Sequence, residues 1–198
     1  MNTIDPRLET VIRKIESGEL TEACIYELLD TYYQLVIWKS DNSDCEDDLQ
    51  DAETPFPEDF LLPVDDRSSG IGAALTQLLA AGHDVDGTDG YSNALMIAVG
   101  NGDAPMVHFL LQHGANAESW PMMDDDLTGH NSNYYLEDID INFMNECYAN
   151  DRDPDYLQAL YRTALVLVED AHLGPYSGYC LKIDNDGNVT LEPAKLLF

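Results

Sequence analysis

Two stretches of this chain repeat one another, and that recurrence restricts the fold more than any other feature. Leu78-Leu79-Ala80-Ala81-Gly82-His83-Asp84-Val85 returns as Leu110-Leu111-Gln112-His113-Gly114-Ala115-Asn116-Ala117, an offset of 110 − 78 = 32 in the numbering. Both copies follow an apolar helical run and share the form Leu-Leu-x-x-Gly-x-[Asp/Asn]. A period of this length marks a supersecondary unit that must stack on a neighbour to bury its apolar face. Gly102 and Gly114 suit helix ends that need a left-handed residue, which glycine supplies without a Cβ penalty. The expected fold class is mainly α.

The segment DGYSNALMIAVGNGDAPMVHFLLQHGAN holds one whole unit. Asp89-Gly90 supplies a turn, Asn93-Ala94-Leu95 opens a short helix, and Ile97 and Ala98 continue it. Asn101-Gly102-Asp103 reads as an interhelix loop, Pro105 to Leu111 as a second helix, and Gly114-Ala115-Asn116 as the exit. Small Ala94 and Ala98 allow close helix packing, and Val107, Leu110 and Leu111 can close on the next unit. This order resembles an ankyrin repeat, with Asn93-Ala94-Leu95 standing at that family's Thr-Pro-Leu and Met96 where its histidine is usual. The resemblance covers one complete repeat and half of another. It implies an ankyrin-like helical solenoid whose surface binds a protein.

A third, degenerate copy is expected at an offset of 49, where Ala98, Asn101 and Pro105 fall on Cys147, Asn150 and Pro154. Asp153-Pro154 would start its long helix, and the extra residues would form an insertion near 120–136. At the N-terminus, Asp5 is a good N-cap and Pro6 fits the first helical position. Leu8, Val11, Ile12 and Ile15 then make one apolar stripe. A second helix is expected from about Thr21 to Trp38, pairing with the first as an N-terminal helical hairpin over 1–40. Residues 41–69 combine acids, Pro55, Pro57 and Pro63 with little periodicity, and read as an extended acidic loop. Repeats would occupy 70–174. The tail, 175–198, reads as a C-terminal β-hairpin, with Tyr179–Ile183 and Asn188–Leu191 flanking an Asn-Asp-Gly turn. All of this fits one domain of 198 residues.

Charge narrows the function. Nine Lys and Arg face 38 Asp and Glu, a net charge of −29. Direct nucleic-acid binding is disfavoured because phosphate contacts need cations, and docking on anionic lipid is disfavoured for the same reason. The 44% hydrophobic content is that of a folded chain, not a disordered one. The sign is also unevenly spread. Residues 68–151 carry 13 acids and no Lys or Arg, and residues 41–66 carry 11 acids and no cation. The middle of the chain is therefore expected to lack internal salt bridges to Lys or Arg. Residues 1–20 interleave charges with apolar side chains, unlike a signal peptide, and no stretch is long enough to span a membrane. Cys24, Cys45, Cys147 and Cys180 are scattered without a CxxC pair, as expected of buried thiols in a reducing cytoplasm.

No catalytic pattern stands out. The five histidines form no HExxH pair, and neither a phosphate-binding Gly loop with Lys nor a GxSxG elbow occurs. His83 and His113 fit ordinary turn roles at the repeat exits. Asp124-Asp125-Asp126 reads as a solvated acidic loop in preference to a metal site. Asp184-x-Asp186-Gly187 departs from a calcium loop, since Lys182 and Pro193 occupy ligand positions. The expectation is a non-enzyme without cofactor or metal.

Binding remains. Asp86, Asp89, Tyr91, Trp120, Asp124, Asp125, Asp126, Tyr134 and Tyr135 make a candidate face of aromatic anchors among carboxylates. Carboxylates steer a cationic partner and speed its capture. The expected function is a cytoplasmic bacterial immunity protein or antitoxin that inhibits a basic toxin or nuclease, a role in which ankyrin-like folds are known. A DNA mimic or phage anti-defence inhibitor, and a general ankyrin scaffold, are the alternatives.

Overall fold

The computed structural model describes residues 3–36, 56–118, 135, 136, 139, 142, 153–172, 179–183 and 189–193. The protein is mainly helical. The described helices are α1 (Pro6–Glu16), α2 (Cys24–Val36), α3 (Ile71–Ala80), α4 (Ala94–Gly100), α5 (Ala104–Gln112) and α6 (Pro154–Asp170). Strands β1 (Tyr179–Ile183) and β2 (Val189–Pro193) pair antiparallel, with Leu181 opposite Leu191. The turn expected between them lies outside the described residues.

Local chemistry sets the helix ends. Asp5, Asn93, Asp103 and Asp153 each cap a helix by accepting backbone N–H bonds, from Arg7, Met96, Met106 and both Asp155 and Tyr156 respectively. Such caps satisfy N–H groups that have no partner inside the helix. At the other ends, Gly114 takes the left-handed form expected of it, and Gly82, at the matching position of the other copy, does the same. Gly82 has φ +88° and Gly114 φ +94°. Their N–H groups donate to Leu79 and Leu111, and the next N–H groups, of His83 and Ala115, donate to Leu78 and Leu110. This double closure is a Schellman cap. Just beyond it the copies still agree. Asp84 Oδ1 accepts from Asp86 N at 3.0 Å, and Asn116 Oδ1 accepts from Glu118 N at 2.9 Å. The shared [Asp/Asn] position is thus an Asx turn in both copies.

The same cap closes two more helices: at the end of α4, Gly102, φ +68°, donates to Val99 O and Asp103 donates to Ala98 O, and the end of α1 follows suit. Gly18, φ +76°, donates to Ile15 O, and Glu19 donates to Lys14 O. The step from Gly18 to Gly82 is 82 − 18 = 64, twice the repeat offset. So α1 ends as α3 and α5 end.

Packing follows from the apolar faces. α1 packs on α2 and α3, α2 on α4, α4 on α5, and α5 on α6. One continuous core results, from Leu8 and Ile12 through Leu28, Leu75, Leu95 and Val107 to Leu157 and Leu160. Each fully buried aliphatic side chain contributes roughly 1.5–3 kcal/mol, offset by the entropy of ordering it. α4 has only seven residues. A helix that short is not stable alone, so its form depends on this packing.

Three expectations need correction. Residues 56–69 are not an extended loop. They form two short 3-10 turns, Glu58–Leu61 and Val64–Asp66, that pack against α3 and α5. Phe56, Phe60 and Val64, spaced by four, are buried. Phe60 meets Phe56 and Tyr33 edge-on, at ring distances of 5.6 and 5.4 Å. These apolar side chains outweigh the surrounding acids and prolines, whereas residues 41–55 lie outside the described set. The register of the last helix also shifts. The caps Asp103 and Asp153 are offset by 153 − 103 = 50. Buried Met106, Val107 and Leu110 match buried Tyr156, Leu157 and Leu160 at that offset, not at 49. Pro105 is the second residue of α5 and Pro154 the first of α6, so aligning the prolines misplaces the helix by one. In addition, Tyr135 and Leu136 are helical and buried, with Ile139, rather than part of an insertion loop. Their spacing is that of buried Ala94, Leu95 and Ala98.

Candidate partner-binding surface

Arg67 ends the cation-free acidic stretch in sequence and is the pivot of the structure. Its guanidinium is 0% exposed and grips Asp103, also 0% exposed, with two bonds of 2.6 Å. Nη1 also donates to Tyr32 Oη at 3.1 Å, Nη2 donates to Leu62 O at 3.3 Å, and Tyr33 Oη donates to Asp103 Oδ2 at 3.0 Å. The guanidinium carbon lies 5.6 Å from the Tyr32 ring centre and 5.9 Å from that of Phe60. Burial disfavours a charged Arg67, but the Asp103 hydrogen bonds and charge outweigh it and hold its pKa up. Burial pushes the Asp103 carboxyl up while Arg67 pulls it down. The bidentate geometry is that of an ionised pair. The expectation that the middle of the chain has no internal salt bridge is thus corrected: Asp103 has one, to an arginine just outside the cation-free span. Both charges are consumed internally, so neither serves a partner.

The segment from Asp86 to Asn93 carries the described part of the expected face. Asp89 Oδ1 accepts from Tyr91 N at 2.8 Å and Ser92 N at 2.7 Å, and Gly90 N donates to Thr88 Oγ1. A Thr88–Asn93 bridge closes the turn. Those backbone bonds lower the Asp89 pKa, so the carboxylate stays charged. The turn lifts Tyr91 into solvent, 70% exposed. Beneath it, half-buried Tyr26 is hydrogen-bonded to Ser92, and burial together with Asp30 and Asp89 raises its phenol pKa.

Asp86 has a different task. It is half-buried, and its two oxygens accept from Asn116 N at 2.9 and 3.2 Å, tying one repeat exit to the next. Burial raises its pKa despite that bond. Tyr135 is corrected outright. It is 1% exposed, and Asn93 Nδ2 donates to its hydroxyl at 3.1 Å. Burial pushes its pKa up to about 12. It is a packing residue that no partner reaches. Trp120, Asp124, Asp125, Asp126 and Tyr134 lie outside the described residues.

Among the described residues, Cys24, His108 and His113 make contacts within the fold. Cys24 is buried with its thiol pKa raised by burial. His113 Nδ1 lies 2.8 Å from Phe109 O. His108 Nδ1 lies 2.5 Å from Asp170 Oδ2, and Gln112 Nε2 lies 2.8 Å from His108 Nε2, joining α5 to α6. Among the described residues, no three His, Cys, Asp or Glu converge on a metal-sized space, and no helix is long and apolar enough to cross a membrane. Sequence reasoning missed Arg67. The available signal was its isolation, as the single cation between Lys39 and Arg152. No protein-family model, curated protein or solved structure matches this chain.

Proposed function

We propose that this chain is a non-catalytic, acidic binding module that captures a cationic protein. In its specific form it is a cytoplasmic immunity protein or antitoxin that blocks a basic toxin or nuclease. The fold behind this reading is an ankyrin-like solenoid of stacked helix pairs, started by α1 and α2 and closed by a C-terminal β-hairpin. The recurring caps at Gly18, Gly82 and Gly114 support it.

One observation carries the functional reading. Residues 68–118 have no Lys or Arg, and the nearest preceding cation, Arg67, is buried on Asp103. That stretch therefore offers a partner no lysine or arginine of its own, and it holds up one large aromatic, Tyr91, on a turn already ordered by Asp89. A rigid aromatic beside fixed carboxylates is the arrangement that anchors a desolvated cation-rich interface. Asp86 acts by keeping adjacent exits in register and not by direct contact.

Calorimetry against the protein encoded beside this chain tests the reading. An immunity protein binds it, and Tyr91→Ala weakens binding by about 1–2 kcal/mol. Unchanged affinity in Tyr91→Ala moves the interface elsewhere.

A further inference from the structure

We infer that the groove between the 3-10 segment, α5 and α6 receives an apolar helix flanked by lysine or arginine on the cationic partner. The inference rests on the reading that the partner is cationic, and adds a second point of contact away from Tyr91. The groove encloses about 490 Å³. α5 lines it with Pro105, His108, Phe109 and Gln112, spaced i, i+3, i+4 and i+7, so a single stripe faces the space. That stripe runs about 10 Å, two turns of helix. α6 contributes Val166 and Arg162, and the 3-10 segment contributes Leu61 and Pro63. Leu61 is 53% exposed, a large aliphatic side chain left in water at the groove mouth. An apolar trough of helical length is the receiving half of helix-in-groove recognition.

Charge selects the occupant. Asp65 lines the groove, and Glu58 and Asp155 line the depression that continues it past Leu61 and Arg162. Asp170 sits on His108 at the far end. Arg162 is the only lysine or arginine among these lining residues. An acidic helix would meet four carboxylates, and a second copy of this chain would bring another −29. A helix with an apolar stripe and basic flanks satisfies both the floor and the rim.

The test uses the full chain and two synthetic peptides of about 18 residues with one leucine stripe, one flanked by lysines and the other by glutamates. Fluorescence anisotropy should show the lysine peptide binding at least about tenfold tighter than its twin. Leu61→Glu should weaken that binding by about tenfold although it adds negative charge, and uncharged Leu61→Asn should weaken it as well. Tyr91→Ala should leave it unchanged. Equal or tighter binding in Leu61→Glu would reduce the effect to bulk attraction and overturn the groove. So would no binding, or a dimer in light scattering that Leu61→Asn abolishes. A captured cationic protein with no peptide binding discards the groove and keeps the proposed function. Peptide binding with no cationic protein captured does the reverse.

Discussion

Arg67 and Asp103 join the 3-10 segment to the first turn of α5, and the pair is fully enclosed. Removing one member leaves the other charged and buried, which costs about 3–5 kcal/mol. Arg67→Met should therefore lower unfolding free energy by that amount in urea; a loss under about 1 kcal/mol would mean the pair is idle. Asp89 and Asp86 make a second prediction, of opposite sign. Backbone bonds lower Asp89, so its contribution is present above its unfolded value and is lost as pH falls through its folded one. Burial raises Asp86, so its contribution is present below its unfolded value and is lost as pH rises through its folded one. A carboxyl NMR titration should find Asp89 below the ordinary aspartate midpoint and Asp86 above it. Coincident midpoints would contradict the turn geometry. Little of this was legible beforehand. Tyr135 and Tyr91 look alike as residues, and only the position of α4 and its Asn93 decides that one is core and the other solvent.

Elements were legible where their determinants are local. The caps at Asp5, Asn93 and Gly114 depend on neighbours a few residues away, and their helices follow from a 3.6-residue period. The 3-10 segment was not, because Phe60 meets Tyr33 on α2 and the segment packs on α5, both distant in sequence. The glycine caps can be tested individually. An added Cβ meets nothing within 4 Å at Gly82 or Gly114, so alanine there costs only left-handed strain, about 1–2 kcal/mol. At Gly102, φ +68°, the added Cβ also falls 3.0 Å from Ala159 Cβ on α6. Gly102→Ala should thus be the most destabilising of the three in chemical denaturation. Equal costs would mean that α6 yields freely at that contact.

At the scale of the whole molecule, 38 acids against nine cations must repel one another when the chain compacts. Added salt should stabilise the fold, raising Tm by about 2–4 °C for each kcal/mol of repulsion screened. A Tm that is flat or falls with salt would mean that the carboxylates are compensated internally. The sign of this charge and its concentration between Arg67 and Arg152 were legible in the sequence, whereas the burial of Arg67 on Asp103 was not, because the pair joins residues far apart in the chain. Capture of a cationic partner is decided by a pull-down from the native proteome at graded salt, on immobilised chain and its Tyr91→Ala twin. One cationic protein should be held at low salt, released as salt rises, and held more weakly by the twin. Recovery of no cationic protein at low salt would contradict the proposed function, as would many nucleic-acid-binding proteins held equally by both.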